Sequence, residues 1–86
     1  MNLIETIKSA AKEHLILKII YRDRNGLIDA WRYIEPYSFS HDDGETGLFA
    51  WDIEKASIRR FLLDRIIEAE LTNRYYNPRY KIEIVW

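Results

Sequence analysis

What most limits the fold of this chain is a rhythm: one short helical segment is followed by six short strand-like runs within about 70 residues. Strands so close in sequence leave no room for the crossovers of a parallel sheet, so they pair antiparallel through tight turns. The expected fold is mainly β with one N-terminal helix: a small, strongly bent antiparallel sheet or barrel with the helix over one opening.

Asn2 with Glu5 three residues on resembles a capping box, and Leu3, Ile4, Ile7, Ala10 and Ala11 recur at helical spacing, which predicts a helix over residues 3 to 13. Leu15 to Tyr21 is aliphatic and β-branched and ends at Asp23-Arg24-Asn25-Gly26, whose Asn-Gly pair signals a tight turn. The next run, Leu27 to Glu35, is expected to stop at Pro36, which has no N–H for a ladder. Residues 37 to 47, with His41-Asp42-Asp43-Gly44-Glu45-Thr46-Gly47, read as a polar loop. Leu48 to Ile53 and Ser57 to Leu62, separated by Glu54-Lys55-Ala56, form a second hairpin pattern. Ile67, Ala69 and Leu71 alternate with polar residues as in a strand with one wet face, and Tyr80, Ile82 and Ile84 predict a short terminal strand.

At 86 residues the chain is read as a single domain, 1–86, large enough for one modest core. It has no cysteine, so a disulfide framework and a thiolate metal site are both excluded. No apolar stretch approaches membrane-spanning length and the start lacks a leader pattern, so a cytoplasmic protein with no membrane partner is expected. Net charge is −1, but residues 40 to 55 carry −4 and residues 59 to 81 carry +3. A local basic face is therefore compatible with a nearly neutral whole.

Nucleophile elbows, phosphate-cradling glycine loops, dinucleotide fingerprints and zinc spacings are all missing. His41-Asp42-Asp43 offers metal-ligand chemistry, but consecutive side chains seldom converge on one ion, and a solvated loop tip with Asp42, Asp43 and Glu45 is the better account. No catalytic residue, metal ligand or cofactor is expected.

Four segments in order resemble the WYL domain family of prokaryotic regulators. They are a strand ending at Tyr21, Arg32-Tyr33-Ile34-Glu35-Pro36, Leu48-Phe49-Ala50-Trp51-Asp52, and Arg59-Arg60-Phe61-Leu62-Leu63-Asp64-Arg65-Ile66. The resemblance implies an Sm-like, SH3-like barrel that serves as a ligand-binding regulatory module, usually beside a DNA-binding domain. It also implies nucleotide or single-stranded nucleic acid ligands. The sequence departs from the family where its name originates: Thr46 and Gly47 stand where Trp and Tyr are expected, and only Leu48 of the triplet remains. Leu62 sits where the family often has another arginine.

The resemblance carries ligand-facing roles to Tyr21, Arg32, Arg59 and Arg65, and the chemistry fits, since guanidinium forks grip phosphate oxygens while aromatic rings stack on bases. For Arg65 the alternative is a salt bridge to Asp64, Glu68 or Glu35. Strand alternation puts Arg59 on the face of Phe61, Arg60 with Ile58 and Leu62 on the other, and Arg32 with Ala30 and Ile34. Trp31 and Tyr33 then belong to core or interface. Tyr75, Tyr76, Tyr80 and Trp86 either cover the barrel or make a dimer contact, which leaves a second reading open: an assembly module, homodimeric or bound to a partner regulator, with structural arginines.

Overall fold

The computed structural model describes residues 1–28 and 31–84. Helix α1 (Leu3–Glu13) starts where the sequence places it: Glu5 N–H donates to Asn2 Oδ1 at 2.9 Å, and Asn2 is the cap. His14 ends it in the left-handed conformation (φ 57), its N–H reaching the Ala10 and Ala11 carbonyls. Ile7, Ala10 and Ala11, on one face, are buried against the sheet. No helix of the described residues is long and apolar enough to cross a membrane.

The strands are β1 (Leu15–Tyr21), β2 (Arg32–Asp42), β3 (Glu45–Asp52), β4 (Ser57–Leu62) and β5 (Ile66–Tyr75), in one antiparallel sheet of order β4-β3-β2-β1-β5. The two outer strands, β4 and β5, are joined only by a 3-10 turn, Leu63–Arg65. Three residues of 3-10 helix advance roughly 6 Å, whereas the edges of a flat five-stranded sheet lie about 19 Å apart. The sheet must therefore curl until its edges meet, which gives the bent, barrel-like form expected. Two bonds fasten that corner to β1: Leu62 N–H donates to the Tyr21 hydroxyl at 3.0 Å, and Arg22 N–H to the Arg65 carbonyl at 2.8 Å.

Three expectations need correction. The turn after β1 is the tight one expected, with Gly26 N–H donating to the Asp23 carbonyl at 3.0 Å, Gly26 at φ 81 and Asp23 Oδ1 accepting from Asn25 and Leu27 N–H, but only the isolated Arg22–Ile28 bridge follows it. The next strand accordingly starts at Arg32, not Leu27, while Asp29 and Ala30 lie outside the described residues. Pro36 does not end β2. It sits inside the strand opposite Ala50, beside a bulge and beyond Ile34, where the β1 ladder has already stopped, so its missing N–H costs no β1 bond. Residues 37 to 47 are consequently not a loop but a hairpin, turned at Asp43 (φ 51) and Gly44 (φ 77), the paired left-handed conformations of a tight I′ turn.

The third correction concerns the end of the chain, where residues 76 to 84 form no strand. Pro78 interrupts them, and side chains anchor them instead: Tyr76 hydroxyl to the Pro36 carbonyl at 2.8 Å, and Arg79 N–H to the Tyr37 hydroxyl at 2.9 Å. One backbone bond, Glu83 N–H to the Tyr37 carbonyl, uses the flank of β2 that β1 leaves free. Val85 and Trp86, and with them any contact role of Trp86, lie outside the described residues.

The sheet thus has two apolar faces. Its inner face packs Leu17, Ile19, Ile34, Leu48, Ala50 and Phe61 beneath α1, joined from the tail by Ile84, and its outer face packs Ile16, Tyr37 and Tyr76, with Ile82 against both clusters.

Candidate anion-binding site

Register decides which side chains meet. Ile34 pairs with Asp52, and Ala50 with Arg59, so Arg32, Asp52 and Arg59 come from three adjacent strands onto one face. Asp52 is fully buried; its Oδ2 accepts from Arg32 Nη1 at 2.6 Å and lies 3.6 Å from Arg59 Nη1. Its Oδ1 accepts from Lys55 N–H at 3.2 Å, so the turn after β3 completes the shell around it. Both guanidinium groups stand over the ring of buried Phe61, at 5.9 Å for Arg32 and 5.8 Å for Arg59.

The Asp52 carboxylate is thus shared by two guanidinium groups. The two arginines are not equivalent: the Arg32 side chain is 13 % exposed, that of Arg59 43 %. Arg32 is chiefly a counter-ion for the buried carboxylate, and Arg59 keeps donors available to solvent.

The structure brings three of the four sequence candidates together. Tyr21 is buried edge-on to Phe61, ring centroids 5.1 Å apart, and its hydroxyl accepts from Leu62 N–H, so it underlies the arginines instead of presenting a ring outward. Arg65 lies apart, half-buried on the 3-10 turn. Among the described residues Arg65 has no ion-pair partner, and Glu35, one of its candidate carboxylates, is taken by Arg79.

Arg60 points to the opposite face, as alternation requires. Its Nε donates to Ser40 Oγ at 2.7 Å, and Nη2 lies 3.7 Å from Asp42 Oδ2. It crosses over Gly47, where a Cβ would sit 2.6 Å from Arg60 Nε. At the position where the family resemblance expects an aromatic ring, the Arg60 side chain would have to shift to admit one. Asp42 is engaged with Arg60 and His41 Nδ1 lies 3.2 Å from Thr46 Oγ1, and among the described residues no metal-binding cluster forms.

Sequence reasoning did not single out Asp52, the residue on which the site turns. The alternation Leu48, Ala50, Asp52 places it on the buried face, and that signal was available. Nor did it pair Glu35 with Arg79 across the outer face. Glu35 Oε1 accepts from the Tyr37 hydroxyl at 2.9 Å and from Arg79 Nε at 3.1 Å, while Arg79 lies 4.5 Å over Trp51. Burial pushes Tyr37 up to about 12; the bond from Arg79 N–H opposes this, and the bond to Glu35 adds to it. Burial likewise raises Tyr76, with the neighbouring Tyr37 and Glu35 charges adding to the effect.

A curled five-stranded sheet under one helix, with arginines anchored on a buried carboxylate, defines a small β domain of the barrel-like kind. Residues 2–71 match the WYL domain, and the chain belongs to that family. Among solved structures, proteasome accessory factor B/C (PafBC) of Arthrobacter aurescens is similar, at 25% identity and a TM-score of 0.75. The likeness covers 83% of this chain and 11% of that one, so it concerns one small part of a much longer protein. Comparison with curated proteins gives no match. The family match ends at residue 71, so the outer-face tail lies beyond it.

Proposed function

We propose that residues 1–86 act as one non-catalytic regulatory module that binds a nucleotide-like anion or single-stranded nucleic acid and so controls an associated transcription factor or effector. Membership of the WYL family and the likeness to part of PafBC support the regulatory role. The observation that carries the ligand class is Arg59: a half-exposed guanidinium, held by Asp52 and Phe61, that keeps donors available to solvent. Arg32 holds the carboxylate, Tyr21 supports Phe61, and Arg65 on the 3-10 turn after β4 is a further guanidinium for the ligand. Fixing the guanidinium before a phosphate arrives removes part of the ordering cost of binding.

The test is titration of a labelled single-stranded oligonucleotide at several salt concentrations. Affinity is expected to fall steeply as salt rises, because phosphate contacts release counterions, and to drop in the Arg59→Ala, Arg65→Ala double variant. Absence of binding at low salt, or binding indifferent to both substitutions, would count against the proposal.

A second reading, an assembly module, is favoured by the exposed apolar side chains Ile67, Leu71 and Tyr75 along the outer strand β5. It requires a concentration-dependent homodimer or a complex with a partner regulator. Sedimentation showing a monomer at high concentration removes the homodimer.

A further inference from the structure

The end of β5 and the tail build a concavity on the outer face of the sheet, on the side away from Phe61. It encloses about 420 Å³ and its lining includes Glu35, Arg74, Tyr75, Asn77 and Arg79. That size lies within the range of about 300–1,000 Å³ common for small-ligand clefts. Its charged lining is one carboxylate, Glu35, and two exposed arginines, Arg74 and Arg79.

Each guanidinium is spread on a ring: Arg79 at 4.5 Å over Trp51 and Arg74 at 5.4 Å over Tyr33. Stacked in this way, a guanidinium offers its N–H edge to a pair of oxygens. Arg79 commits Nε to Glu35, and among the described residues the Arg74 side chain has no ion-pair partner. The buried Glu35 carboxylate opposes a second negative charge, so a monoanion suits the cavity better than a dianion. Tyr75 lies at the rim with 75% of its surface exposed, a flat ring ready for stacking.

We infer that this concavity is a second site, for one nucleotide of a single-stranded nucleic acid. The singly charged phosphodiester lies between Arg74 and Arg79, the base stacks on Tyr75, and the Asn77 amide faces the base edge. A single strand is required because a base must leave its stack to lie on a side-chain ring. Arg74 and Tyr75 at the end of β5 and Asn77 and Arg79 in the tail all lie beyond the family match.

The experiment uses the full chain carrying Arg59→Ala, which weakens the inner site, and a short oligothymidylate at low salt. Binding is followed by the NMR signals of the Trp51 indole N–H and the Asn77 side-chain amide. Both signals are expected to shift and titrate, and adding Arg74→Ala and Tyr75→Ala, two exposed positions, is expected to weaken the titration about tenfold. Unmoved signals, a change below about twofold, or equal competition by a duplex of the same sequence would overturn the inference. Loss of all binding on Arg59→Ala alone would overturn it while upholding the inner site. Full binding in Arg59→Ala that disappears with the Arg74 and Tyr75 substitutions would do the reverse.

Discussion

Asp52 on the inner face and Glu35 on the outer face each hold an arginine against an aromatic ring, yet at different depths. Asp52 and Arg32 are closed in almost completely, with side-chain exposures of 0% and 13%, whereas Glu35 at 5% exposure is paired with Arg79 at 50%. Depth changes what the pair does. A sealed pair must be complete for the sheet to close over it, since an unpartnered buried charge is costly. A half-open pair can tether the tail and still present donors to solvent. The inner pair joins neighbouring strands of the sheet, and the outer pair joins the sheet to a strandless tail.

The comparison breaks first, and hardest, at Asp52. Asp52→Ala removes the buried carboxylate that Arg32 and Arg59 share and is expected to cost about 3–5 kcal/mol in urea unfolding. Glu35→Gln keeps an acceptor for Tyr37 but removes the charge facing Arg79, so a loss of about 1–3 kcal/mol is expected. Hydrogen exchange should locate that loss in residues 76 to 84, with the inner core protected. If Glu35→Gln instead destabilises as much as Asp52→Ala, the two pairs are equivalent and the distinction of depth fails.

Alkali probes the outer face through tyrosine. The Tyr37 hydroxyl, raised from its ordinary 10.0 to about 12, binds its proton more tightly folded than unfolded. Its contribution to stability is therefore complete below about pH 10 and is lost as pH rises towards about 12. Unfolding midpoints measured across that window should fall, and Tyr37→Phe should flatten the fall. The smallest effect is expected for Arg59→Ala: its half-exposed pair with Asp52 contributes less than about 1 kcal/mol, so thermal unfolding should barely move even where ligand binding does.

Much of this was legible in the sequence where the signal was local. The Asn2 cap, the helical spacing behind it, the strand Ser57–Leu62 and the opposite faces of Arg59 and Arg60 all follow from residues within a turn or a strand of one another. Pro36 misled because a proline is costly only where a ladder partner is waiting, and the length of the β1 ladder is a tertiary fact. Asp43-Gly44 carried a hairpin signal that the surrounding polar residues masked. The carboxylate partners were hidden for another reason: Arg32 and Asp52 are separated by 20 residues, and Arg79 and Glu35 by 44, so no spacing rule joins them.

The 3-10 turn that brings the sheet edges together has a consequence in time. Neighbours among β2, β3 and β4 are close in sequence and can pair as soon as they exist, but β1 must wait for β5, which starts at residue 66. Pairing across such a separation is slow, because a long loop must close before any bond is gained. Until β5 is available, β1 therefore has one flank bare. Substitutions in Leu63–Arg65 are expected to act on the rate of that late step more than on the finished fold.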